Sequence, residues 1–343
     1  MNTSVQKVSV IVPCRNEVEY IEQFVKSVSN QMLTGIDLEI IIADGMSDDG
    51  TRDKLKNILD QYDHLRVIDN PDRTTPAALN HAIRAAKGEI IIRMDVHSEY
   101  SFDYISECIQ QLNTTGADNV GGAWHAKGVN YLQNAIALAF QSPFSSGGAG
   151  SHSLAYEGLV DTVYLGCWKK KTLEAIGLFD ETFVRNQDDE LNLRIVRSGG
   201  KIWQSPTIKS WYYPRASLLT LFKQYMQYGY WKVRVIQKHK TPASIRHLVP
   251  GIFIFSLIAL SLLALFSKTA QLTLVTLLSC YILGTALATI HACRRLDQLL
   301  YLPILPFIFT AFHFGYGYGF LRGVASFYLQ KRSKQKLFTE LTR

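Results

Sequence analysis

Acidic residues almost vanish from the last part of this 343-residue chain. Residues 248–343 hold 2 acidic and 9 basic residues, whereas residues 1–247 hold 27 of each. The net charge of +7 thus belongs to one end, and the neutral remainder excludes the basic folded domain that a nucleic-acid binder requires. Charged residues make up only 19% of the chain against 47% apolar ones, a balance that excludes disorder. The five cysteines (Cys14, Cys108, Cys167, Cys280, Cys293) are odd in number, and none stand at C-x-x-C spacing. Neither a disulfide scaffold nor a thiolate metal site is expected, and reduced cytosolic thiols are. The N-terminus MNTSVQKVSVIV lacks a basic stretch leading into a long apolar run, which predicts no secretory signal.

What the first half does contain is alternation. Val8–Val12, Leu38–Ile42, Leu65–Ile68 and Glu89–Ile92 read as strands. Between them, Ile21, Phe24, Val25 and Val28, then Leu55, Ile58, Leu59 and Tyr62, then Ala78, Leu79, Ala82, Ile83 and Ala86 recur at helical spacing. Apolar strands separated by amphipathic helices predict a Rossmann-like, mostly parallel α/β sheet covered on both faces. Ligands of such sheets sit beyond the carboxyl ends of the strands. Those ends carry Pro13-Cys14-Arg15-Asn16-Glu17, Asp44-Gly45, Asp69-Asn70 and Asp95-Val96-His97. Each alone suits a turn or helix cap; four on one rim favour a nucleotide or metal site.

The last third changes character. Residues 248–266, 270–292 and 299–321 hold no Asp, Glu, Lys or Arg, and their only histidines are His291 and His313. At about 1.5 Å per residue each can cross a hydrocarbon core of about 30 Å, so a C-terminal α-helical membrane region is predicted. Before it, Lys223, Lys232, Arg234, Lys238, Lys240 and Arg246 alternate with Tyr225, Tyr228, Tyr230 and Trp231, a pattern suited to an anionic bilayer surface. The predicted domains are 1–215 (α/β), 216–247 (interfacial helices) and 248–343 (membrane helices and basic tail). Positive-inside counting places 223–247 and Arg294-Arg295 in the cytoplasm and Ser267–Thr269 outside. A re-entrant or interfacial third segment, broken at Pro303, Pro306 or its glycines, would return the tail with Lys331, Arg332, Lys334 and Lys336 to the cytoplasm.

The segments VSVIVPCRNE (8–17), ADGMSDDGT (43–51), GEIIIRMDVH (88–97), VDTVYLGCW (160–168), GLFDETFVRNQDDELNLR (177–194) and QYGYWKVR (227–234) follow one another in the order found in one enzyme group. On them the chain resembles the inverting family 2 glycosyltransferases of GT-A fold, most closely the membrane-bound, succinoglycan-type members that build polysaccharide on a lipid carrier. The resemblance implies a donor pocket at Pro13, Arg15, Glu17 and Asp44, where the Asp44 carboxylate can accept the N3–H of uracil. Asp95-Val96-His97 stands where the family has DxD, and residues i and i+2 of an extended chain point to one side. Asp95 and His97 are therefore expected to hold a divalent cation, Mn2+ or Mg2+; His97 binds it directly or contacts a phosphate. Arg93 joins the nucleotide-binding set or pairs with a neighbouring acid.

The same resemblance makes Asp188 the catalytic base, with Asp189 the alternative; the family's Glu before the base is Gln187 here. Asp161, Gln187, Glu190, Trp231 and Lys232 are expected near donor or acceptor sugar, with Glu190 also open to a structural role. The small, glycine-rich stretch 141–158 reads as a flap. The implied partners are a nucleotide diphosphate sugar, a polyprenyl-pyrophosphate-linked saccharide and the bilayer, and the implied location is a bacterial-type cytoplasmic membrane with the catalytic domain inside. Two other classes remain open: a nucleotide-sugar-binding membrane regulator that would not need Asp188, and a transporter, which would need ionisable residues in its spans.

Overall fold

The computed structural model describes residues 5–329 and Phe338. These form two compact units: residues up to 125 with 153–212, and residues 126–152 with 213 onward.

The first unit is built on strands β1 (Gln6–Cys14), β2 (Ile36–Asp44), β3 (Leu65–Asp69), β4 (Ile90–Arg93), β5 (Ser98–Tyr100), β6 (Asn119–Gly122), β7 (His125–Ala126, which begins in this unit), β8 (Gly158–Leu159), β9 (Tyr164–Lys169), β10 (Ile202–Gln204) and β11 (Ser210–Tyr212). Eight of them make one sheet in the order β3-β2-β1-β4-β9-β6-β10-β8. β1, β2, β3 and β4 run parallel, as their apolar runs predicted. β9 is inserted antiparallel between β4 and β6.

Alternation along the strands sorts side chains to two faces. Val8, Val10, Val12, Ile40, Ile42, Ile90 and Ile92 form one core with Phe24, Val25 and Leu55 from the overlying helices. Ile11, Ile41 and Ile91 form the other core with Leu79, Ile83, Trp168, Leu191 and Ile195. Both faces are covered, which is why these strands read as unbroken apolar runs. Each fully buried Val or Ile contributes about 1.5–3 kcal/mol, and together they hold the strand ends in one plane.

The second unit is helical. Its segment 126–152 was expected to belong to the first domain; instead its apolar helix Tyr131–Phe140 finds partners among residues 213 onward. Phe140 packs on Phe312 at 5.5 Å between ring centroids, and Phe144 on Phe309 at 5.4 Å. The stretch read as a flap accordingly carries a short helix, Pro143–Ser146, capped by the Ser142 hydroxyl.

Two helices among the described residues are long and apolar enough to cross a membrane, Ile245–Leu263 and Lys268–Ala292. The third apolar segment forms the helix Leu305–Val324, which packs along Leu218–His239. Gly315, Gly319 and Gly323 make this possible: a Cβ on any of them would crowd the carbonyl oxygens of Phe222, Met226 and Tyr230 in turn. Such small-xxx-small spacing lets helix backbones touch, the association device available where hydrophobic pressure is absent. The basic tail beyond Leu329 lies outside the described residues, apart from Phe338.

Candidate active site

The carboxyl ends of β1–β4 bring polar groups to one rim. Cys14 is in register with Asp44, and Asp44 with Asp69, so two carboxylates stand on adjacent strands about 4.8 Å apart. Arg52, in the first turn of the helix Thr51–Leu59, bridges them at 3.1 Å to Asp44 and 2.8 Å to Asp69. Asp44 is fully buried and also accepts hydrogen bonds from the Ser47 hydroxyl at 2.5 Å and the Ser47 N–H at 3.1 Å.

The loop after β1 is stitched to the loop after β2. Asn16 N–H donates to Ser47 Oγ, Glu17 N–H to Thr51 Oγ1, and the Asn16 amide exchanges hydrogen bonds with Asp48. Asn16 and Met46 both adopt φ 56°, a left-handed conformation that costs a non-glycine residue about 1 kcal/mol or more and is retained where the surroundings enforce it. Asp49 accepts from the Thr51 N–H and hydroxyl at the start of the helix Thr51–Leu59. Gly45 N–H donates to the Cys14 carbonyl, and the Arg15 side chain lies over Gly45 where a Cβ would stand 3.1 Å away. Pro13 is half-buried at the same edge.

On the other side of β1, β4 ends in Arg93, and two residues on stands Asp95. The Arg93 guanidinium meets Asp95 side-on, Nε to Oδ1 at 3.0 Å and an Nη to Oδ2 at 3.1 Å. Its remaining Nη donates to Asp188 Oδ1 at 2.5 Å. Asp188 comes from the first turn of the helix Gln187–Arg197, whose Leu191 and Ile195 anchor in the core. Glu190, in the same turn, is fully buried and pinned by Arg194 at 2.8–3.1 Å, while Arg194 also donates to the carbonyls of Ile176 and Leu178. Glu190 thereby fixes the helix start. Gln187 is buried beside it, and Asp189 is half-buried. Asn192 reinforces the placement through Asn119 and Thr162.

Asp95 is held from behind as well. Its backbone N–H donates to the Tyr100 hydroxyl at 2.6 Å, and that hydroxyl donates to the Asp95 carbonyl at 3.0 Å. Tyr164 completes the wall, its hydroxyl 3.0 Å from Ser98 Oγ. Burial pushes both phenols above their ordinary range. Burial opposes the charge on Arg93, but Asp188 and Asp95 outweigh it and hold the guanidinium firmly protonated. Asp188 keeps 36% of its side-chain surface open. The protein around the rest pushes its carboxyl up to about 6; Arg93 pulls it down, and Asp95 and Asp189 add to the rise.

His97 is half exposed, with Nδ1 3.5 Å from Glu17 Oε1. Among the described residues no three Asp, Glu, His or Cys side chains form a cation cage. One carboxylate and one imidazole fit a Mg2+- or Mn2+-type ion only when phosphate oxygens and waters complete the shell, the usual arrangement in nucleotide enzymes. Asp95 retains lone pairs for such an ion while paired with Arg93.

The structure therefore gathers Arg93, Asp95 and Asp188 on one guanidinium, with Glu17, His97 and Asp44 on the same rim. Asp161 is half-buried ahead of β9. Trp231 and Lys232 belong to the second unit, where both are buried and the Trp231 indole donates to the Phe338 carbonyl at 2.8 Å. Sequence reasoning missed Arg52, Arg194, Tyr100 and Tyr164. Only Arg52 carried a signal, standing one residue after a helix start beside an acidic strand end.

Known proteins resemble this chain in sequence and in fold. The model of glycosyl transferase family 2 matches residues 9–167. The succinoglycan biosynthesis protein ExoA of Rhizobium meliloti (strain 1021) is 32% identical over 70% of this chain and 73% of its own length. A dolichyl N-acetyl-alpha-D-glucosaminyl phosphate 3-beta-D-2,3-diacetamido-2,3-dideoxy-beta-D-glucuronosyltransferase of Methanococcus voltae is 28% identical over 92% of this chain and 97% of its own. Among solved structures, a mannosyltransferase of Pyrobaculum calidifontis, in complex with GDP-Man and Mn2+, superposes with a TM-score of 0.58 at 18% identity, covering 89% of this chain and 86% of that one. That likeness shows the shared GT-A fold.

Proposed function

The chain belongs to glycosyl transferase family 2, and from that premise we propose that it transfers a sugar from a nucleotide diphosphate sugar, with uracil as the base, to a polyprenyl-pyrophosphate-linked saccharide, inverting the anomeric carbon. The observation that carries this reading is the meeting of Asp95 and Asp188 on Arg93, which sets a donor-side carboxylate beside a base. Asp188 takes the proton of the acceptor hydroxyl through its outer oxygen. The acceptor oxygen bonds to the anomeric carbon as the bond to the diphosphate breaks, and the electron pair leaves with the nucleotide. A sugar hydroxyl attacks poorly until its proton is taken, and a placed base supplies about 10²–10⁴-fold. Asp44 and the loops after β1 and β2 seat the nucleoside. Asp95 and His97 would hold a divalent cation, which supplies charge neutralisation for the departing diphosphate.

The two apolar helices support a membrane location, with the first unit on the cytoplasmic side where nucleotide sugars are made. The named acceptors of relatives favour lipid-borne saccharide: one is a dolichyl-linked saccharide transferase, and another, from Campylobacter jejuni, a GalNAc(5)-diNAcBac-PP-undecaprenol beta-1,3-glucosyltransferase. Thermal-shift screening of UDP-, GDP- and dTDP-sugars with and without Mn2+ tests the donor side. Stabilisation by UDP-sugars that requires the ion is expected; equal stabilisation by every nucleotide, or none by any, would sink the proposal.

A further inference from the structure

Arg93 lies in the middle of the sheet, opposite Ile11 of β1, and is 5% exposed. Three of its five N–H donors are spent on the two carboxylates, Nε and one Nη on Asp95 and the other Nη on Asp188. The far side of Asp95 is itself anchored by the Tyr100 hydroxyl, and the Tyr100 ring packs edge-on against Tyr104 at 4.8 Å. A continuous chain of directed contacts thus runs from the core through Tyr100 and Asp95 to Arg93, and ends on Asp188 Oδ1. The other carboxylate oxygen, Oδ2, takes no part in these contacts, and 36% of the Asp188 side-chain surface is open.

This geometry differs from that of a residue reaching for a phosphate. A phosphate-binding arginine offers its planar fork outward; here the fork is turned inward onto Asp95. From this we infer that Arg93 is a positioning residue for Asp188, aiming Oδ2 at the acceptor hydroxyl and tying the aim of the base to the donor-side carboxylate. The inference rests on the glycosyltransferase reading of the site. A lysine in its place would supply one point charge with no fixed plane, so it would neutralise the pair without fixing the angle between them.

The test uses the full chain in membrane vesicles, with radiolabelled UDP-sugars as donor and transfer into extractable lipid as the readout. For Arg93→Lys we expect kcat to fall about 10-fold, and for Arg93→Met about 100-fold, the scale at which a misplaced group loses rate. Donor KM and the affinity for UDP with Mn2+, measured by calorimetry on the purified chain, stay within about 3-fold. Adding Arg93→Lys to Asp188→Asn costs nothing further, because both substitutions remove one function. UDP affinity falling 10-fold or more in Arg93→Lys with kcat kept would make Arg93 a phosphate ligand and overturn the inference. So would additive losses in the double variant, or an unchanged kcat in a folded Arg93→Lys. Should Arg93→Met fail to fold, Arg93→Lys and the double variant decide alone. A wild-type chain that binds no UDP and transfers no label would strike down the functional reading itself, a result separable from all of these.

Discussion

Two arginines on one rim solve the same problem in opposite ways. Arg52 reaches in from a neighbouring helix, is 38% exposed, and bridges buried Asp44 to Asp69, which is 61% exposed. Arg93 belongs to the sheet itself, is nearly buried, and bridges two acids brought from β4 and from the helix Gln187–Arg197. At the first centre, solvent and salt screen the Arg52–Asp69 contact, which contributes little net energy, while buried Asp44 is shared between Arg52 and the Ser47 hydroxyl and N–H. In the second, removing one partner leaves a charge facing the protein interior. The lesson is one of division of labour: the Arg52 centre ties together neighbouring strand ends, whereas the Arg93 centre, on the proposed reading, sets the angle of the base.

The sharpest way to break this contrast is to act on the acid of each centre. Asp188→Asn should lower kcat by about 10²–10⁴-fold and leave UDP affinity within a few-fold; lipid-linked product at an unchanged rate would remove Asp188 as base. A pH series comes next. Since the Asp188 carboxyl must be ionised to accept a proton and is raised to about 6, kcat/KM should fall about tenfold per unit below that point and level off above it. Asp188→Asn should abolish this limb, and a limb that survives would assign it to another group. The smallest effect is expected at the other centre. Arg52→Gln should cost about 1–3 kcal/mol, since Ser47 still serves the buried Asp44 carboxylate, read as a lower thermal midpoint with kcat unchanged. A loss as large as that of Asp188→Asn would erase the distinction between the two arginines.

The four parallel strands were legible because each is an apolar run ending in a polar turn, and Asp44 and Asp95 were legible because they occupy those ends. β9 was not: its run YLGCWK is short, contains a glycine at φ 119°, and is antiparallel, so nothing local marks it as lying between β4 and β6. The helix bearing Asp188 could be read from Leu191 and Ile195, but the choice of Glu190 as its clamp depends on Arg194 and on two carbonyls from the preceding turn. Partners distant in sequence carry no periodic signature. The segment 141–158 looked like an open loop by composition, because the fate of Phe144 was settled by Phe309 and His313, more than 160 residues away.

The bare backbone at Gly315, Gly319 and Gly323 also has a mechanical meaning. With carbonyls of Leu218–His239 resting where side chains would otherwise stand, a slide of either helix by one residue would move those carbonyls off the glycines and onto residues that carry a Cβ. The joint is keyed, like a shaft in a slot. The helix Leu218–His239 is consequently locked in angular order, with Lys223 and Lys238 held on its exposed side and Tyr230, Trp231 and Lys232 turned inward.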